Sequence, residues 1–255
     1  MDRHRLTCGD RNGTKQRAEL SPVTMRWFFP GVFILGAVLA IGVWRGLMPV
    51  PPEWNPWAPL DLRGEENFLT WFKLKRLARD PPLCAAALST AGMRYSPVPN
   101  GAIGGKCPLE NVVRIDDLGP VHLSGSFLST CPLAAALVLF TRHTLEPEAR
   151  AHFGQEVVEL DHLGSYACRN VYNRPQGRLS QHAGANALDV SGFRLGNGTR
   201  IVISRDWEVD DERSKFLHDV ARGACRSFSV VLTPDYNAAH HNHFHLDMSP
   251  FWYCP

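Results

Sequence analysis

The chain has 255 residues, a formal net charge of +2, 44% hydrophobic and 20% charged residues. That length holds one substantial domain with an extra segment, or two small domains, and the composition excludes wholesale disorder. The near-neutral charge, with no long basic run beyond the N-terminal segment, predicts no nucleic-acid partner.

Residues 1–26 carry Arg3, Arg5, Arg11, Lys15, Arg17 and Arg26, and the stretch from Trp27 to Trp44 has no charged residue. A bilayer-spanning helix needs about 20 apolar residues. Tryptophans suit its two interfaces, and positive charge before it keeps that side in the cytoplasm. These features predict a cytoplasmic tail over 1–26, a single transmembrane anchor over 27–45 and a periplasmic C-terminal domain, with the protein in the inner membrane. A cleaved signal peptide starting at Met25 is the competing reading; no A-x-A site follows the apolar core, which favours an uncleaved anchor.

Pro49, Pro51, Pro52, Pro56 and Pro59 predict an extended tether. Phe68, Leu69, Phe72, Leu74 and Leu77 predict a short amphipathic helix within 65–80 that Pro81-Pro82 stops. Residues 46–79 are therefore expected to be a proline-rich tether and a short helix. Over 80–255, short strands are predicted at 112–115 and 121–123 with a turn between them, and a central apolar helix at 132–145. Further strands are predicted at 156–160, 165–171, 187–193, 200–203, 227–232 and 243–248, with one helix at 212–225. The class expected is α+β, a mostly antiparallel sheet with packed helices, preceded by the transmembrane helix.

Of the seven cysteines, Cys8 precedes the apolar stretch, while Cys84, Cys107, Cys131, Cys168, Cys225 and Cys254 follow it. An even six on the side expected to be oxidising predicts three disulfides among fifteen possible pairings, with Cys8 reduced. No C-x-x-C pair is present to build a thiolate zinc knuckle.

Two polar clusters carry the chemistry. One runs from Ser180 through His182 to Asp189; the other is His240-His241-Asn242-His243-Phe244-His245-Leu246-Asp247. In an extended strand His243, His245 and Asp247 share one face and Phe244, Leu246 and Met248 the other. Imidazole and carboxylate are zinc ligands, and a catalytic zinc keeps three protein ligands with one position open. His182, Asp189 and one histidine of the second cluster supply such a set, suited to hydrolysis. Nickel or cobalt would fit the same donors.

Ser180-x-His182, Ala187-x-Asp189 and His243-x-His245 resemble the motifs of zinc peptidases that cleave D-amino-acid bonds in peptidoglycan. Tyr166-x-Cys168-Arg169, Asn186-Ala187-x-Asp189 and His240-x-x-His243-Phe244-His245-Leu246-Asp247 more closely resemble the bacterial extensin-like C-terminal family, over roughly 80–255. The resemblance implies Zn2+ held by His182, Asp189 and His245, His243 as base or charge stabiliser, and His240 as a further active-site histidine. It implies Arg169 as a contact to substrate carboxylate or carbonyl oxygen, against a structural ion pair beside Cys168. Asn242 stands where many carboxypeptidase relatives have glutamate, and an amide is no base at neutral pH; this shifts the expectation toward endopeptidase chemistry. The function implied is a membrane-anchored periplasmic zinc peptidase acting on peptidoglycan peptides or crosslinks. The alternative is a non-catalytic, zinc-containing cell-wall binding or scaffold module.

Overall fold

The computed structural model describes the backbone of residues 22–48, 50–102 and 106–255, with side chains from Phe29 onward. The expected tail up to residue 21, and Cys8 with it, lies outside the described residues. The chain forms two units that divide at Val50. In the first, α1 (Pro22–Trp44) is a helix of 23 residues with Pro30 inside it, a position that removes one backbone hydrogen bond. Among the described residues no helix is long and apolar enough to cross a membrane. That finding corrects the predicted transmembrane anchor over 27–45, and the inner-membrane placement with a periplasmic domain falls with it.

The second unit runs from Pro51 to Pro255. The segment expected as an extended tether packs in part, since Leu60 and Leu62 are buried in the core. The helix α2 (Phe68–Leu77) begins at Asn67, whose side chain accepts from the Leu69 amide while Thr70 accepts from the Asn67 amide. This reciprocal cap satisfies donors that a helix start leaves open. Pro81-Pro82 do not merely end α2; they open α3 (Pro81–Ser89), with Asp80 capping the Leu83 amide. Proline fits the first helical turn because its missing N–H is unneeded there.

The helix α4 (Cys131–Phe140) is buried along its whole length and forms the centre of the core. It passes through a π-turn at Thr141–Leu145 into α5 (Glu146–Phe153). The short α6 (Ile203–Asp206) and the longer, amphipathic α7 (Glu212–Ala224) follow. The strands are β1 (Arg94–Pro97), β2 (Gly101–Ala102), β3 (Pro108–Leu109), β4 (Val112–Asp117), β5 (His122–Leu123), β6 (Phe127–Thr130), β7 (Val157–Gly164), β8 (Ala187–Leu195), β9 (Arg200–Val202), β10 (Val230–Leu232) and β11 (Phe244–Asp247). A three-stranded antiparallel sheet has the order β1-β4-β6, β2 pairs with β3, and the main sheet has the order β10-β11-β8-β7-β5 with β9 on β8.

The class is α+β, and the main sheet is mixed rather than purely antiparallel because β5 joins β7 in parallel. The strand expected over 165–171 is replaced by a loop with one helical turn at Val171–Asn173. At Gly192 of β8 a Cβ would stand 2.5 Å from the Ile201 carbonyl oxygen of β9. Gly192→Ala is therefore expected to cost about 1–3 kcal/mol through forced backbone displacement, read from urea denaturation; an unchanged midpoint would contradict the tight approach.

The six C-terminal cysteines form three disulfides: Cys84–Cys131, Cys107–Cys168 and Cys225–Cys254. The first ties α3 to the start of α4 across a separation of 47 residues. By the loop-entropy relation such a closure contributes about 4 kcal/mol. The Cys84→Ser, Cys131→Ser double variant should lose about 2–5 kcal/mol of unfolding free energy in urea. Thiol titration of the denatured, unreduced chain should detect none of these six sulfurs.

Candidate metal centre

His182, Asp189 and His245 come together although 63 residues separate the first from the last. Each is placed by local structure. Ser180 caps the helical turn Gln181–Gly184 by accepting from the His182 amide, and Ala185 leaves that turn with φ 53°. Thr130 donates to the Asn186 side-chain oxygen at 2.7 Å, and Asn186 donates to Gln181 at 2.7 Å. The turn is thus braced between β6 and β8. Asp189 and His245 face each other in register across the antiparallel pair β8–β11. Alternation then sends Phe244 and Leu246 into the core and His245 and Asp247 to the other face.

Three potential ligand atoms converge. His182 Nε2 lies 3.2 Å from Asp189 Oδ1, His245 Nδ1 lies 3.0 Å from the same oxygen, and the two nitrogens are 3.1 Å apart. The outer ring nitrogens have their own acceptors. His182 donates from Nδ1 to the Ser165 carbonyl at 2.9 Å, and His245 donates from Nε2 to Asp247 Oδ2 at 3.1 Å. With those protons on the outer nitrogens, three lone pairs point at one spot and repel unless something positive lies between them.

The set fits a divalent cation. In a tetrahedral zinc site with bonds of about 2.0–2.1 Å, ligand atoms lie about 3.3 Å from one another, close to the three distances here. The outer carbonyl and carboxylate are the supports that metal-bound imidazoles use. Burial would raise the Asp189 pKa, but with protons rather than a cation on the facing nitrogens, hydrogen bonds from His182 and His245 override it and hold the carboxyl below its ordinary range. Burial would lower that of His245, yet its bonds to Asp189 and Asp247 push it up to about 9.

The remaining histidines of the second cluster stand beside this triangle. His243 Nε2 is 3.4 Å from Asp189 Oδ1, and its Nδ1 is 2.8 Å from Asn242 Oδ1. Burial, and repulsion from the His245 and His182 rings against the pull of Asp189, lower its pKa. The His240 ring is 5.2 Å from that of His243 and 5.8 Å from that of His245. Burial and the same neighbours lower the His240 pKa to about 4. His182, Asp189, His240, His243 and His245 all line a cleft of about 350 Å³.

Arg169 also lines the cleft and is exposed, and among the described residues no ion pair to it is found. The cleft's other cation, Arg178, lies over the Phe251 ring at 5.2 Å. A second grouping, Glu148, His152 and Asp219, joins α5 to α7. There His152 is engaged by Glu212 and Asp219, and Lys215 and Arg222 neutralise those two carboxylates.

Asp247, Ser165 and Asn186 support the candidate centre, and sequence reasoning left them without a role. Asp247 had a readable signal, the two-residue spacing that puts it on the His245 face of a strand. Ser165 contributes only a backbone carbonyl, which no residue type announces. The family model described as extensin-like protein C-terminus matches residues 82–255, a span that contains every residue of this centre. No curated protein and no solved structure is significantly similar to the chain.

Proposed function

We propose that this chain, which belongs to the extensin-like protein C-terminus family, is a zinc-dependent peptidase acting on peptidoglycan peptides or crosslinks. The observation that carries the reading is the convergence of His182, Asp189 and His245 on the wall of a cleft, with their outer nitrogens already committed to Ser165 and Asp247. A zinc ion held by these three residues would lower the pKa of a water and polarise a substrate carbonyl.

The chain's own groups supply the rest. His243 Nε2, beside Asp189 and not among the three converging atoms, is placed to take or return a proton at a reacting oxygen or nitrogen. Arg169 offers a guanidinium to developing negative charge or to a substrate carboxylate. Tyr236, Phe251 and Tyr253 give the cleft apolar surface against which a peptide can be oriented.

The test is digestion of purified sacculi by the full chain, with the released muropeptides resolved by mass. Zinc-loaded protein should release peptides cut at the stem or crosslink, a chelator should stop the release, and added zinc should restore it. A zinc-loaded chain that binds sacculi and releases nothing would replace this reading with the binding module. One observation favours that second reading: Asn242, where carboxypeptidase relatives carry a glutamate, is engaged with the His243 ring and offers no carboxylate.

A further inference from the structure

The cleft has two opposed loops, and one side chain touches both. The first loop is a flap over residues 169–180. Its stem is closed by the Asn170–Leu179 bridge, by the Ser180 amide donating to the Arg169 carbonyl at 3.0 Å and by the Val171 amide donating to the Arg178 carbonyl at 3.1 Å. The flap leads directly into His182. At its tip Tyr172 and Asn173 are consecutive non-glycine residues with φ 55°, and such residues cost about 1–3 kcal/mol each unless the surroundings impose them. The second loop carries Asn237, His240 and His243.

Asn237 connects the two. Its Oδ1 accepts from the Ala239 amide at 2.9 Å and lies 2.9 Å from His240 Nδ1. Its Nδ2 donates to the Tyr172 hydroxyl at 3.0 Å. The Ala239 N–H can only donate, so the amide group has one orientation with oxygen toward His240. His240 must then carry its proton on Nδ1, which leaves the Nε2 lone pair available to the cleft.

We propose that Asn237 is a positioning residue that couples the flap to the active-site histidines: one amide group sets the His240 tautomer and latches the flap through Tyr172. The consequence for turnover rests on the hydrolase reading above; the latch and the tautomer do not. Seating the flap therefore accompanies orienting His240, and this bond adds to the local backbone bonds that hold the left-handed turn at Tyr172 and Asn173. Substrate enters with the latch open and is enclosed when Tyr172 returns to Asn237.

The experiment uses the full chain and three variants, Asn237→Ala, Tyr172→Phe and Asn237→Asp. Flap opening is read by trypsin cleavage after Arg178, and the His240 tautomer by ¹⁵N shifts of the imidazole nitrogens, both independent of activity. Cleavage tracks the open population when closing is fast. Losing one hydrogen bond should raise it several-fold to about tenfold in Asn237→Ala and Tyr172→Phe. Asn237→Ala should also lose the fixed Nδ1–H tautomer, whereas Tyr172→Phe should keep it. Asn237→Asp, which can accept from His240 and from the Tyr172 O–H, should restore both readouts. Parent-like cleavage in both Asn237→Ala and Tyr172→Phe, or an unaltered tautomer in Asn237→Ala, overturns the proposal. On sacculi, Asn237→Ala should lower kcat more than it changes KM. If the parent chain releases nothing while cleavage and tautomer respond as stated, the hydrolase reading fails and the latch stands.

Discussion

Removing any one of His182, Asp189 or His245 is expected to take the chain from about one zinc per molecule to essentially none after dialysis, and to abolish sacculus cleavage with it. The three atoms are mutually 3.0–3.2 Å apart, so each alanine leaves two donors, which do not hold zinc against exchange. Asp247→Ala tests the same centre from outside. Its carboxylate accepts from the outer nitrogen of His245 and from the Ser249 amide and is not among the three converging atoms, so affinity should fall by about 10–100-fold rather than vanish. Metal analysis and a zinc titration on the four variants, with circular dichroism to confirm the fold, separate the two grades of loss. Full occupancy in the three ligand variants would remove the site.

How much of this was readable beforehand depends on how local the signal is. The alternation of His243 to Met248 is a two-residue period, and the strand duly sends Phe244 and Leu246 inward and keeps His245 and Asp247 together. The apolar run after Pro132 gave the buried central helix, although not the π-turn that carries it into α5. An even number of cysteines gave three bridges; which sulfur meets which is a property of tertiary packing, and the sequence left all pairings open.

Where the period was ambiguous, tertiary context decided. Residues 165–171 look strand-like by composition, yet the chain there must reach over the cleft and bring the Ser165 carbonyl to His182. The prolines of 51–59 suggested a tether, but Leu60 and Leu62 bury themselves against the core. The flap–loop bond between Tyr172 and Asn237 spans 65 residues and leaves no periodic trace. The apolar stretch over 27–45 was read as an anchor from flanking charge and tryptophans; among the described residues no helix is long and apolar enough to cross a membrane.

His243→Ala should keep its zinc and fold while losing about 10²–10⁴-fold in the rate of peptidoglycan cleavage, the usual contribution of a positioned acid or base. The argument is geometric. His243 Nε2 is 3.4 Å from Asp189 Oδ1, near enough to the reacting centre to exchange a proton there. The three converging atoms would supply the three protein ligands of a catalytic zinc, so a fourth imidazole is not required. Its other nitrogen meets Asn242, which holds the ring in place without supplying a carboxylate of its own. His240→Ala is the comparison, because that ring stands one step farther out, 5.8 Å from His245, and should reduce the rate less. Metal content and muropeptide release are measured on the parent and both variants together. A His243→Ala chain that loses its metal would make His243 a ligand and reassign His245. A chain that keeps both metal and rate would move the proton-transfer role to His240, which also lines the cleft.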